Sequence, residues 1–355
     1  MSAQAAEDIR HDRIGSLSGI KIVALAAIFI WHLGFLKSPD IGSRMCELFF
    51  ACSAVLEAIR HYGTYCYAPR SLAHGLAQKL KRIYPLYLAT FAFGAWLGQI
   101  GASPWSLAAD PTEAILAVFM LQVWNAKSAY AFVGAAWFVC DLMLCYAFVP
   151  FMSLAVQHMK AGSGNRWWPI AVMLAVCILL RLACDLLCGY GILAVSPHTF
   201  PPIRVLDYFC AYLFGCLALA WHERRRPGYH LHGAVQTLIE VAAVALYVLQ
   251  VMYTTPYIFA RTLGILCAAM LVLVFVFCRG GVSFILGAPP FRWLAAIELE
   301  FFLFHQPCIQ LAYFLLPDAD WPTVAGQALA FAAVLVFLAK LIELAAARLG
   351  SKHAR

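Results

Sequence analysis

Two ionisable side chains interrupt the first apolar run of the chain. Lys21 and His32 are the strongly polar side chains of IGSLSGIKIVALAAIFIWHLGFL, residues 14–36. A helix turns every 3.6 residues, so their spacing is about three turns, roughly 16 Å along the axis, and both project from one face. Ionisable groups are costly in lipid and mark functional positions by default. Others fall in later apolar runs. Glu47, Asp141, Arg181, Asp185, Arg204 and Asp207 lie near the ends of their segments, Glu298, Glu300 and His305 share one late segment, and Lys79, Lys81 and Arg82 form a basic cluster. A basic mouth suits an anionic, phosphate-bearing ligand. A polar cavity on the opposite side suits a neutral, hydroxyl-rich one such as a sugar. Structural roles compete with these. Arg181–Asp185 at i,i+4 and Arg204–Asp207 at i,i+3 are spaced to pair with each other. The Lys79–Arg82 cluster is also suited to anchoring a helix end at lipid headgroups. His305 precedes Gln306-Pro307, where a histidine can satisfy backbone groups freed by the proline.

The elements that must hold these residues are membrane helices. The chain is 63% hydrophobic and 12% charged. Its apolar runs are about 20 residues long and continuous, which fits spanning helices and disfavours a barrel. The fold expected is an all-α, polytopic membrane bundle of about ten helices, at 14–36, 45–59, 83–101, 134–155, 167–188, 203–221, 233–252, 258–278, 293–315 and 322–346. The stretch 112–124 is short for a span. If it does not cross, Arg60, Arg70, Lys79, Lys81, Arg82, Lys160, Arg166, Arg224–Arg226, Arg279 and Arg292 share one side, and Lys37, Arg44 and Lys127 the other. The positive-inside rule then makes 112–124 re-entrant or interfacial and puts both termini in the cytoplasm. The expected organisation is a cytoplasmic tail over 1–13, a transmembrane domain over 14–346 and a cytoplasmic tail over 347–355. Residues 1–13 are polar and precede a full-length span, unlike a cleavable signal peptide. The thirteen cysteines are scattered, without a CxxC pair, and read as small hydrophobes rather than a disulfide or zinc framework. A net charge of +7, placed in loops, orients the chain in a bilayer and does not suggest nucleic acid.

Five segments together resemble the bacterial membrane acyltransferase type-3 family, the O-acyltransferases of surface glycans. Lys21-x10-His32 is similar to its Arg/Lys-x10-His signature. GSRMCELFFACSAVL (42–56) resembles an acidic-Leu-Phe-Phe…Ser-Gly stretch, with Glu47 and Ser53 at the acidic and serine positions. KLKRIYPLYL (79–88) resembles Arg-x-x-Arg-Ile-x-Pro, with Lys79 and Arg82 at the basic positions. WFVCDLMLCYAFVP (137–150) follows a Trp…Tyr…Pro frame, and ELEFFLFHQP (298–307) a Ser-x-Ser-x-Tyr-Leu-x-His-x-Pro stretch with His305 at the histidine. The chain departs from the pattern in places. Lys79 stands where arginine is usual, Leu142 and Met143 stand at a Glu-Glu pair with Asp141 one place earlier, Glu298 and Glu300 stand where serines are common, and Ala54 replaces a glycine.

The resemblance implies transfer of an acyl group, commonly acetyl, from acyl-CoA to a hydroxyl of a glycan or lipid-linked sugar, in the bacterial cytoplasmic (inner) membrane. His32 is then the general base, since a hydroxyl needs one within hydrogen-bond reach near neutral pH. Direct transfer and a transient acyl-histidine both remain open. His305 or Glu300 would orient the base or bind the acceptor, and Lys21 completes the expected catalytic group. Lys21, Lys79 and Arg82 would hold the acyl-CoA donor. Glu47, Asp141, Arg181 and Arg204 would bind the acceptor. No metal is required. The expected partners are acyl-CoA, the acceptor glycan and the bilayer, and a homo-oligomer is compatible with the sequence. A transporter using an intramembrane His/Glu/Asp relay is the competing reading.

Overall fold

The computed structural model describes residues 14–36, 40–62, 69–163, 166–223, 231–253 and 258–353; among these, side chains are left undescribed at 14, 69–73 and 343–353. The expected tail 1–13 and the Arg224–Arg226 run lie outside the described residues, as do 254–257 of an expected loop and the last two residues of the expected 347–355 tail. Among the described residues all regular structure is helical, in thirteen α-helices and one 3-10 turn. They are α1 Ile14–His32, α2 Ile41–His61, α3 Pro69–Gln99, α4 Pro111–Val118, α5 Ala136–Gly162, α6 Trp168–Gly189, α7 Pro201–Glu223, α8 Gly233–Tyr253, α9 Ala260–Phe277, α10 Gly281–Leu286, α11 Pro289–Ala295, α12 Glu298–Leu315 and α13 Trp321–His353. Four of them begin on a proline, whose fixed φ and missing N–H suit a first helical position.

Among the described residues, seven helices are long and apolar enough to cross a membrane: α1, α5, α6, α7, α8, α9 and α13. Three other expected spans are also helices, but more polar ones. Helix α2 carries Arg44, Glu47, Glu57 and Arg60, α3 carries the basic cluster, and α12 carries Glu298, Glu300 and His305. Several expected boundaries move, two of them in helices that carry candidate site residues. Helix α3 starts at Pro69 rather than 83, so Lys79 and Arg82 ride on the helix itself, one turn apart. Helix α12 starts at Glu298 rather than 293, because α11 ends at Ala295. The ambiguous stretch 112–124 forms the eight-residue α4 and the 3-10 turn Gln122–Trp124. Eight residues rise only about 12 Å, well short of a bilayer core. Between the two pieces Met120 takes φ 59°, a left-handed conformation that stops the helix.

The described residues of 1–27, 38–77 and 141–295 make one compact unit, unit 1; those of 28–37, 78–140 and 296–355 make unit 2. In unit 1, α2, α7 and α9 pack on one another; α6 lies against α7, and α8 against α9. Helices α7 and α9 are the most enclosed of the apolar helices, whereas α6 and α8 expose Leu179, Leu180, Leu238 and Leu249, as lipid-facing helices do. One close approach needs a glycine. A Cβ on Gly19 would sit 2.3 Å from the Leu286 carbonyl oxygen, so only glycine lets α1 meet the end of α10 there. The start of α10 is held by Glu240, whose buried carboxylate accepts from the backbone N–H of Gly280, Val282 and Ser283 and from the Ser283 hydroxyl. In unit 2, α12 packs along α13, with Phe29, Leu33, Phe304, Ile309 and Ala332 in a shared apolar core. The α4 stretch is fastened to α3: Tyr84 donates to the Val118 carbonyl at 2.8 Å, Tyr87 to that of Ala117, and the Gln122 amide to the Tyr87 hydroxyl at 3.1 Å.

Candidate functional site

In unit 2 the last turn of α1 meets the middle of α12 through two histidines. His305 is fully buried and His32 is half-buried. Their rings are 5.0 Å apart, edge to face, and His305 Nε2 lies 3.3 Å from His32 Nδ1. The hydrogen positions follow from the other partners. His305 Nδ1 faces the Phe302 carbonyl at 2.5 Å, and His32 Nδ1 faces the Ile28 carbonyl at 3.0 Å. A carbonyl only accepts, so in the neutral rings both Nδ1 atoms carry the proton and both Nε2 atoms are bare. The His32 Nδ1–H is therefore shared between Ile28 and His305, and His32 Nε2 is left with a lone pair. Phe301 stacks on His305 and Trp31 meets His32 edge-on, so aromatic packing fixes both rings. Leu33 helps hold the corner, its carbonyl accepting from the Tyr313 hydroxyl at 2.9 Å.

Glu300 stands one turn before His305 but bonds elsewhere. It is buried and paired with Lys340 of α13. Lys79 is half-buried and Arg82 exposed, on adjacent turns of α3 in unit 2. Lys21 is half-buried on α1, in the part that belongs to unit 1.

The four expected acceptor residues all lie in unit 1, at one end of its helices, and are fully buried. Here α2, α5, α7 and α9 begin and α6 ends, so the four residues arrive from four helices. Glu47 accepts from Arg44 at 3.0 Å and lies 3.8 Å from Arg204. Arg204 also pairs with Asp207 at 3.0 Å, as their i,i+3 spacing predicts, and donates to the Pro197 carbonyl at 2.7 Å. Arg181 pairs with Asp185, likewise as spaced, and also with Asp207 of α7 at 2.5 Å. The second oxygen of Asp185 takes the N–H and hydroxyl of Thr262 in α9. Arg181 and Arg204 are thus each shared between helices, which the in-helix spacings did not reveal. Asp141 differs. It is 0% exposed and lies within electrostatic reach of Arg204 and Asp207, yet neither of its oxygens has a hydrogen-bond partner among the described residues. Ser53, lower on α2, lies 2.9 Å from the Tyr146 hydroxyl and 3.2 Å from that of Tyr208.

Sequence reasoning missed Arg261, His198 and Asp40 and treated Arg44 as a loop charge. Arg44 is in fact 1% exposed and bonded to Glu47. The i,i+3 spacing of Arg44 and Glu47 was the signal that could have found it. Gly264 is the packing counterpart of that pair: a Cβ there would lie 2.6 Å from Glu47 Oε2 and 2.8 Å from Arg44 Nη1. Among the described residues no group of three or more His, Cys, Asp or Glu side chains is arranged to hold a metal ion, and the twelve described cysteines are free thiols.

The seven apolar helices found among the described residues define an integral membrane protein. The sequence profile of a family described as an acyltransferase domain matches residues 14–342, and the chain belongs to that family, the type-3 membrane acyltransferases. It is an integral membrane acyltransferase. No curated protein and no solved structure matches the chain.

Proposed function

We propose that the protein moves an acyl group, acetyl in the simplest case, from acyl-CoA to a hydroxyl of a glycan or lipid-linked sugar, with His32 as the general base. The observation that carries this reading is the bare Nε2 of His32, whose Nδ1–H is committed to Ile28 and His305. In the proposed step Nε2 takes the hydroxyl proton as the oxygen bonds to the thioester carbonyl carbon. The C–S bond breaks, and the departing CoA thiolate takes the proton back from His32. The products are an ester and free CoA. While His32 is cationic, His305 Nε2 accepts its Nδ1–H, the part an aspartate plays in a catalytic triad. Glu300 pairs with Lys340; the proposed proton step uses His32 and His305. Lys21, Lys79 and Arg82 hold the phosphates of the donor, and Glu47, Asp141, Arg181 and Arg204 the acceptor. The donor is handled on the cytoplasmic side of a bacterial inner membrane, with both termini cytoplasmic.

The test is acetyl-CoA consumption by the purified protein in liposomes, with mass spectrometry of the glycans from cells with and without the gene. The expected result is an ester-sized mass difference that His32→Ala abolishes while the folded protein persists. Full activity of His32→Ala refutes the base assignment. Solute flux with no thioester consumed would replace the enzyme by a transporter.

A further inference from the structure

Arg261 is the odd member of the unit 1 cluster. Arg181 is neutralised by Asp185 and Asp207, Arg44 by Glu47, and Arg204 by Glu47 and Asp207. Arg261, in the first turn of α9, has no carboxylate at ion-pair distance among the described residues. Its Nη2 donates instead to His198 Nε2 at 2.5 Å. That bond fixes the ring: Nε2 accepts, so the single proton of neutral His198 is on Nδ1. His198 lies in the loop before α7, and burial, with Arg261 and then Arg204, Arg44 and Arg181 as neighbours, pushes its pKa down to about 2. It stays neutral near physiological pH.

Several buried donors of His198 and its neighbours have no acceptor among the described residues. They are His198 Nδ1, Arg261 Nη1, Arg44 Nε and Nη2 and the Thr199 hydroxyl. Arg44 and Thr199 are each 1% exposed, out of contact with bulk water. Asp40 is close but loose: 3.7 Å from Arg44 Nη2 and 3.7 Å from His198 Nε2. Buried donors without acceptors are costly. Three of these four groups can only donate, and they include the cluster guanidinium that has no carboxylate at ion-pair distance among the described residues. The complementary partner is acceptor-only and negatively charged, and a guanidinium fork matches carboxylate and phosphate alike.

We propose that Arg261, His198, Thr199 and Arg44 form a subsite for an oxyanion, a carboxylate or phosphate carried by the acceptor. This rests on reading the unit 1 cluster as the acceptor side. The acceptor is then an acidic glycan or a phosphate-linked sugar, and the unpartnered Asp141 takes its neighbouring hydroxyls. Asp40 tunes the subsite by opposing the incoming charge.

The experiment reads binding without any acyl donor, so its failure is separate from failure of the His32 mechanism. Thermal unfolding of the full chain in zwitterionic nanodiscs is followed with D-glucuronate, inorganic phosphate, D-glucose or chloride, at matched ionic strength. Glucuronate or phosphate is expected to raise Tm above the chloride and glucose controls, and the anion that does so identifies the carboxylate or the phosphate source. Arg261→Gln is expected to weaken the apparent Kd at least tenfold, and Asp40→Asn to tighten it severalfold. Should Arg261→Gln not fold, Arg261→Lys and Thr199→Val replace it, each expected to weaken binding severalfold. No anion effect beyond chloride, or parental affinity in the Arg261 and Thr199 variants, overturns the proposal.

Discussion

Replacing His305 separates a positioning histidine from a packing one. His305→Leu keeps an apolar side chain in a fully buried position but removes the acceptor 3.3 Å from His32 Nδ1. In the ground state that loss is modest, because Ile28 still accepts the proton. In the transition state His32 is becoming a cation, and a hydrogen bond to a charged group contributes about 1.5–3 kcal/mol. At 1.36 kcal/mol per decade that predicts a fall in kcat of about 10- to 150-fold. The KM for acetyl-CoA should stay near the parent value, because the bond strengthens only as charge develops. His305→Gln offers a carboxamide oxygen to the same N–H and should recover much of the lost rate. The assay is thiol release from acetyl-CoA by protein in liposomes, with a Tm for each variant to confirm folding. A Leu variant within threefold of the parent kcat would refute the reasoning. A Gln variant as slow as Leu, with parental Tm, would also refute it, since His305 would then be moving a proton itself.

Four further outcomes test other parts of the structure. Lys79→Ala with Arg82→Ala should raise the KM for acetyl-CoA at least tenfold and leave kcat nearly unchanged; unaltered KM removes the pair from the donor site. Glu240→Gln keeps one acceptor oxygen but brings an N–H against the donors of Gly280, Val282 and Ser283, and should cost about 1–3 kcal/mol, read as a lower Tm. Gly264→Ala forces a methyl within 2.6 Å of Glu47 Oε2 and should cost about 1–3 kcal/mol, with thermal unfolding as the readout. The depressed pKa of His198 makes its neutral form part of the folded state, so its contribution is full above pH 6.5 and is lost as pH falls below it; at pH 5 the loss is about 2 kcal/mol, and His198→Asn, which keeps an acceptor and a donor but does not titrate, should flatten Tm between pH 7 and pH 5.

The helices were legible because each is announced by its own residues. A continuous apolar run needs no partner to be recognised, and prolines mark several starts. The in-helix ion pairs Arg181–Asp185 and Arg204–Asp207 were legible for the same reason, since both partners sit on one face of one helix. What joins distant helices was not. His32 and His305 are 273 positions apart, and no periodicity in either helix says that the two faces meet; resemblance to a family signature brought both residues forward, and the structure supplied their contact. Glu300 was expected to orient the base or bind the acceptor, and its pairing with a lysine forty positions later was not legible. Arg261 was invisible because a lone arginine at a span boundary looks like any orienting charge. Its meaning comes from what it lacks, a carboxylate, and that is a property of the folded cluster.

The same cluster constrains how any of these residues can be tested. Arg181 joins α6 to α7, Arg204 joins α7 to α2, and Asp185 joins α6 to α9 through Thr262. Removing one member of a buried pair leaves the other charge without compensation, at a cost of roughly 3–5 kcal/mol, a large share of a protein's whole stability. Alanine at Arg181 or Arg204 would therefore unfasten helix ends and abolish activity whether or not the side chain touches substrate. Asp141 and Arg261 escape this ambiguity. Among the described residues Asp141 has no hydrogen bond to lose, and Arg261 gives up only a neutral imidazole. Asp141→Asn should leave stability within about 1 kcal/mol of the parent value, read as a nearly unchanged Tm. If its free oxygens receive the acceptor, the same variant should raise the acceptor KM, and a parental KM would return Asp141 to the role of a buried, unused acid.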